Sequence, residues 1–383
     1  MLAETIGIVS RSSRVRRVLV STSRRDATPD RHGTSNTSSY VNAHGGRHLS
    51  AESMLYGNSL QLVDSGAARA AGCGAVLDLA VSVVNFRTPG PLTTCLEALA
   101  TERDRLGMHV TVVDNASNDG SAEMVRERFT WVRLIQNSTN VGFGRAHNQV
   151  LREATARHLL VLNSDAAPRP GALKLLVDYL DTHPAVAVVG PKLVRPDGRP
   201  QPSRRRFPTS ATLFLESTQL QRFWPDNAVL RRYYVADQPD HQVQEVDWLE
   251  GACLCVRRQA TDDVGLFDER FFVYSEELDW CRRFKASGWR IVYVPTAEVV
   301  HLEGASTQLD LAMRDRLFQQ SKLRYADKWH GRGVARALRA YLVLEYVARA
   351  AEEGLKAGLG RQREERRARL RVISSGLRAA LRG

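Results

Sequence analysis

The apolar positions of this chain change rhythm twice. Through residue 76 they follow no period, and Ser, Arg, Thr, Gly and His dominate, the pattern of a low-order N-terminal extension. From residue 77, short apolar runs alternate with helical spacing. The run 77–85 reads as a first strand, followed by a helix around 91–105 and a strand at 109–113. After the turn 114–120 come a helix from Ser121, a strand near 131–135, a loop with two glycines at 140–144 and a helix at 145–156. The apolar run 159–162 is a strand that leads to Asp165, and a helix at 169–182 and a strand at 185–189 continue the series. Strands and helices in alternation predict an α/β fold with a mostly parallel, doubly wound sheet flanked by helices.

From 190 to 245 the pattern is irregular and rich in Pro and Arg, as expected of an insertion built for substrate rather than for core. Strand spacing returns at 246–257 and again at 291–300, and beyond 306 it is helical. The chain therefore divides into an extension (1–76), a catalytic-sized α/β domain (77–305) and a helical tail (306–383).

Charge sharpens this division. The net +12 is concentrated in residues 311–383, which hold eighteen Lys/Arg against seven Asp/Glu, while the middle of the chain is slightly acidic. That argues against nucleic acid as a partner of the central domain and favours a basic appendage for an anionic surface, with phospholipid headgroups the leading candidate. Five cysteines without a CxxC pair argue against a disulfide scaffold or structural zinc, and Cys253 and Cys255 share one face of a strand as small core residues. No apolar run is long enough to span a bilayer and the first residues lack a signal-peptide core, so a cytoplasmic location is expected.

Ligands of open α/β sheets bind beyond the carboxyl ends of the strands. Asn85, Asp114 and Asp165 all fall at or just past such ends. Asp114 and Asn85 suit hydrogen bonds to a base or ribose, although Asp114 and Asn115 also suit a plain turn. Asp165 suits a divalent ion, or equally a helix cap. In the stretch 140–148, Gly142 permits close backbone approach and Arg145 suits a diphosphate; the spacing is not GxGxxG, which disfavours a dinucleotide. Glu276, Glu277 and Asp279 lie among aromatic residues, where adjacent carboxyls raise one another's pKa and suit a general base; a solvated helix start is the plainer alternative. His301 ends a further strand and pairs in principle with Asp165 as a second metal ligand.

In this order, the strand to Asn85, 113–121, 140–148, Leu162-Asn163-Ser164-Asp165, 190–193, Asp247-Trp248-Leu249-Glu250-Gly251-Ala252, Glu276-Glu277 and His301 resemble the family 2 glycosyltransferases of GT-A (Rossmann-like) fold, in particular their rhamnosyltransferase-like branch, over about 78–305. The resemblance implies that Asp114, with Asn85, Asn115, Gly142, Arg145, Asn148, Asn163 and Ser164, binds the nucleotide sugar. It implies that Asp165 is the last acid of the D-x-D metal motif, whose first acid is Asn163 here, and that His301 helps to hold Mg²⁺ or Mn²⁺ or the diphosphate. The catalytic base falls on Glu277, a Glu where the family motif has Asp, which keeps Glu276 and Asp279 in contention.

The implied reaction is transfer of a sugar, rhamnose being the candidate, from a dTDP- or UDP-linked donor with inversion. The implied acceptor is a lipid-linked (polyprenyl-diphosphate) or other cell-envelope glycan. Trp248, Gly251, Arg204 and Arg205 are expected on the acceptor side. The stretch 334–347 places apolar residues on one helical side with arginines beside them, which suits the cytoplasmic face of an anionic membrane; packing on its own domain, or on a second copy in a homo-oligomer, suits it too. A nucleotidylyltransferase, which would carry a Gly-rich loop after its first strand, and a non-catalytic sugar-binding module are the competing readings.

Overall fold

The computed structural model describes residues 77–303, 311–358 and 363–382. The apolar run of the first strand, β1 (Leu79–Asn85), is buried on both faces and pairs in parallel with β2 (Met108–Asp114) after a helix, α1 (Pro89–Glu102). Pro at the first turn of α1 fits the missing N–H that a helix start does not need. Helix α2 (Ser121–Arg128), strand β3 (Arg133–Gln136), helix α3 (Phe143–Leu151) and strand β4 (His158–Asn163) follow. The expected helix at 145–156 thus begins two residues earlier and stops at Leu151.

A three-residue strand not foreseen from the pattern, β5 (Ala166–Pro168), then leads to α4 (Ala172–Thr182) and β6 (Val186–Val194). The insertion contains β7 (Pro200–Gln201), β8 (Arg204–Arg205), and the short helices α5 (Ser210–Leu215), α6 (Gln219–Phe223) and α7 (Ala228–Tyr233). Next come β9 (Gln244–Glu245), β10 (Trp248–Leu249), β11 (Cys253–Arg257), α8 (Arg258–Val264), α9 (Glu276–Ala286) and β12 (Arg290–His301). Three helices complete the described chain: α10 (Leu311–His330), α11 (Arg332–Gly358) and α12 (Arg363–Arg382).

The main sheet runs in the order β3-β2-β1-β4-β11-β6-β12-β5, with β7 on β6 and β9 on β12. The pairs β1–β2, β1–β4, β2–β3 and β6–β12 are parallel, whereas β11 is antiparallel to both β4 and β6. The fold is therefore α/β with a mostly parallel sheet flanked by helices. The single strand expected at 246–257 is two: β10 leaves the sheet to pair with β8, and residues 250–252 turn back into β11. Cys253 and Cys255 are buried thiols inside the core, as their spacing predicts.

The helical tail is not peripheral. Leu338, Leu342 and Tyr346 of α11, Leu323, Tyr325 and Ala326 of α10 and Ile373 of α12 are buried in the same cluster as Leu159, Val161 and Leu254 of the sheet. The side of 334–347 that carries Leu338, Leu342 and Tyr346 is thus spent on folding, the alternative its pattern left open. No described helix is long and apolar enough to cross a membrane.

Candidate active site

Strand register gathers the first half of the site. Parallel pairing sets Asn85 beside Asp114 and Val84 beside Asn163, so three polar strand ends line up at one edge of the sheet. Asn85 Nδ2 donates to Asp114 Oδ1 and to Ser117 Oγ, both at 3.0 Å, and its Oδ1 accepts from Thr88 Oγ1 at 2.7 Å. Thr88 Oγ1 also lies 2.8 Å from Ser164 Oγ. Asp114 Oδ2 accepts from the backbone of Ser117 at 3.2 Å. These side chains are buried and mutually bonded, a preorganised floor rather than a set of loose hooks.

The short strand β5 makes the second pairing. It runs antiparallel to β12 with Ala166 opposite His301, and Leu302 N donates to Asp165 O at 3.0 Å. That register brings Asp165 Oδ1 to 3.3 Å from His301 Nε2. Asn163 Nδ2 stands 3.3 Å from the same nitrogen, while His301 Nδ1 meets Gln201 Oε1 at 3.0 Å. Burial alone would lower the imidazole pKa, but the hydrogen bond and charge of Asp165 more than offset it and hold His301 above its ordinary value. The pair thus favours a shared proton between its two atoms. The donor set fits a divalent cation: one carboxylate, one imidazole oriented from behind by Gln201, and the buried Asn163 Oδ1 that has no partner in the protein. No cluster of three or more His, Cys, Asp or Glu that could hold a metal occurs among the described residues, so further ligands would come from phosphate oxygens and water.

The third part is the start of α9. Tyr274 and Ser275 both take left-handed backbone conformations, φ 68° and 65°, and this strained turn aims the first helical carboxylates. Glu277 lines a cavity of about 150 Å³ together with Glu250, Arg205, Trp248, Tyr274 and, from α10, Phe318. Burial, aided by the charge of Glu250, outweighs the backbone N–H donors at its carboxylate and pushes Glu277 up to about 7. Glu276 is buried too, its pKa raised by desolvation and by Glu277, but it turns toward the first turn of α3, its Cβ 3.7 Å from where a side chain on Gly144 would begin. Among the described residues, neither Glu276 nor Asp279 lines the cavity.

Glu250, which sequence reasoning quoted within a motif but gave no role, connects the two halves. It is half-buried with its Oε2 shut from solvent, its pKa is raised by desolvation, and it is felt electrostatically by both Glu277 and His301. Its neighbours complete the link: Gly251 packs against Glu277, where an added Cβ would meet Cγ at 3.4 Å, and Ala252 O accepts from Asn163 N at 3.0 Å. The signal available in the sequence was a carboxylate inside an otherwise apolar run.

Several expected site residues are placed elsewhere. Asp279 is engaged by Arg283 Nε at 3.0 Å, Trp329 Nε1 at 2.8 Å and Lys328 Nζ at 2.6 Å, contacts that dock α10 and lie outside the cavity. Asn148 spends its amide on Phe267 N, Phe267 O and Glu269, and Asn115 on Asn137, Asn140, Val141 and Gly142; both staple loops together. Gly142 has φ +90°, and a Cβ there would lie 2.5 Å from Phe272 O, so its need for glycine comes from loop packing. Arg145 lies on the exposed side of α3 near Glu269, at 3.6 Å. Arg204 bonds Pro239 O and Gln244 and stacks on Tyr293, away from the cavity; Arg205 alone of the three consecutive arginines lines it, held over Tyr234 and Trp248. A wider surface hollow of about 610 Å³ at the far end of β4 is lined by Arg157, His158 and Asp181, charges that already pair with one another.

Comparison with known proteins shows the family. The family model "Glycosyltransferase like family 2" matches residues 78–320. The chain is 34% identical over 226 residues, 56% of this chain and 72% of the relative, to an N-acetylglucosaminyl-diphospho-decaprenol L-rhamnosyltransferase of Mycobacterium tuberculosis. It is 26% identical over 236 residues, 60% of this chain but 18% of the relative, to the O-antigen biosynthesis protein RfbC of Myxococcus xanthus. Among solved structures, a mannosyltransferase from Pyrobaculum calidifontis in complex with GDP-Man and Mn²⁺ aligns at TM-score 0.46 and 18% identity, over 80% of this chain and 86% of that one. The chain belongs to glycosyltransferase family 2 and is a glycosyltransferase.

Proposed function

We propose that this enzyme moves rhamnose from a nucleoside-diphosphate donor, dTDP-rhamnose first among candidates, to a sugar carried on a polyprenyl diphosphate, with inversion at the anomeric carbon. The observation that carries the reading is Glu277: a buried carboxyl poised near neutral pH, in a cavity, linked through Glu250 and Gly251–Ala252 to the Asp165–His301 pair. The named specificity of the M. tuberculosis relative, and the length over which it aligns, support the choice of sugar and acceptor.

Asn85, Asp114, Asn163 and Ser164 form the floor on which the nucleoside and ribose rest. Asp165 and His301 would hold Mg²⁺ or Mn²⁺, which when bound supplies positive charge to the diphosphate as it leaves. Glu277 takes the proton of the acceptor hydroxyl while that oxygen attacks the anomeric carbon from the face opposite the diphosphate. The new C–O bond forms as the bond to the diphosphate breaks, and the proton ends on Glu277. Such general-base help is worth roughly 10²–10⁴-fold. Arg205, fixed by its stacking on Tyr234 and Trp248, offers the cavity a cation suited to phosphate on the acceptor.

The test is transfer itself. A panel of nucleotide sugars, each with and without Mn²⁺, is incubated with a synthetic N-acetylglucosaminyl polyprenyl diphosphate, and products are read by mass spectrometry. Metal-dependent rhamnosyl transfer supports the reading; transfer of another sugar only, or none with any donor, overturns it.

A further inference from the structure

Six of the eleven exposed large apolar side chains among the described residues lie on two adjoining elements. On α6 and its C-cap these are Leu220, Phe223 (79% exposed) and Trp224 (63%). On α11 they are Leu344 (68%), Val347 (51%) and Leu355 (74%), which fall on one helical face through Ala351 at steps of three, four and four. The opposite face of α11 is the one buried in the core, so this helix is apolar on both sides and the fold uses only one. The elements adjoin: Gln219 N donates to Glu345 Oε1 at 3.1 Å, and Tyr341 meets Thr218 and the backbone of Leu220.

Single exposed apolar residues need no explanation, but a cluster with two large aromatic side chains does. The exposed cations Arg222, on α6 itself, and Arg336, about two turns before Leu344 on α11, lie on the same two elements, whereas the nearby Asp226 and Glu352 are paired with Arg231 and Lys356. A surface that joins exposed apolar and aromatic side chains to arginines on the same elements is complementary to the headgroup region of an anionic bilayer. A second copy of the chain would set like charges against each other. The position has a use: Glu216 and Ser217, just ahead of α6, line the same cavity as Glu277.

We infer that the α6–α11 face docks on an anionic lipid bilayer and sets the mouth of the Glu277 cavity at the membrane surface. This rests on the acceptor reading above only for its purpose; the docking itself stands on the exposed residues. The expected result is that the full chain co-sediments with phosphatidylcholine vesicles containing phosphatidylglycerol, less so as salt rises, and poorly with phosphatidylcholine alone. The double variants F223S/W224S and L344S/V347S should each lose on the order of tenfold or more in vesicle partitioning. Both should keep wild-type transfer to an acceptor with a short, water-soluble alkyl chain, which also shows that they fold.

A wild-type chain that stays in solution with both vesicle types, or variants that bind as well as wild type, would overturn the inference. So would a dimer seen by light scattering that the same variants dissolve. Vesicle binding without transfer to any acceptor would sink the catalytic reading and leave the docking intact; transfer without vesicle binding would do the reverse.

Discussion

Replacing Glu277 by Gln should lower turnover by roughly 10²–10⁴-fold and stabilise the protein, by an amount set by pH. The wild-type carboxyl sits at about 7 in the folded protein against 4.5 for the free group, because burial disfavours its charged form. Between those values the unfolded chain releases a proton that the folded chain retains. Stability therefore falls as pH rises from the lower value to the upper one and is flat beyond it. Each pH unit in that window costs about 1.4 kcal/mol, so the wild-type enzyme carries a burden on the order of 3 kcal/mol above neutrality that Gln, having no proton to lose, does not. For a chain of this size, 1 kcal/mol moves Tm by roughly 2–4 °C. Thermal unfolding by circular dichroism should show the Gln variant melting with the wild type near pH 4.5 and on the order of 6–12 °C above it near pH 8. The kcat/KM of the wild type should rise with pH and level off near 7. A Tm gap that is independent of pH, or a Gln variant less stable than wild type at alkaline pH, would refute the assignment of a buried, proton-holding base.

Two further substitutions separate structural from catalytic carboxylates and glycines. Asp279→Asn strands Lys328 and Arg283 without their shared anion and should cost about 3–5 kcal/mol in urea unfolding, with kcat per folded molecule retained. Gly142→Ala forces a Cβ to within 2.5 Å of Phe272 O at a left-handed φ, and should cost roughly 1–3 kcal/mol in the same assay.

The strand ends were legible because an apolar run that stops in a polar residue marks the edge of a parallel sheet. Asn85, Asp114 and Asp165 were all found that way, although the fourth strand ends at Asn163, which only the family resemblance singled out; the run ending at His301 led to the partner of Asp165. What the chain alone could not show was direction. Glu276, Glu277 and Asp279 share one turn of helix, and only the positions of Gly144, Gly251 and Trp329, contributed by distant segments, decide which of them faces the cavity. Asn115 and Asn148 have the chemistry of ligand hooks, but loops more than twenty residues away consume their amides. The three arginines at 204–206 are identical in sequence terms and diverge because β8 pairs with β10, sending their side chains to Gln244, to Trp248 and to Asp237. The arginine-flanked pattern of α11 hid a second apolar face behind the first.

The central claim is a division of labour: Asp165 and His301 bind the donor through a cation, and Glu277 acts on the acceptor. Isothermal titration of dTDP into the full chain, with and without Mn²⁺, tests it most directly when done on wild type, D165N and E277Q. Binding should depend on Mn²⁺, stay at wild-type strength in E277Q and weaken on the order of tenfold or more in D165N. Equal binding by all three proteins, or a loss confined to E277Q, would contradict it.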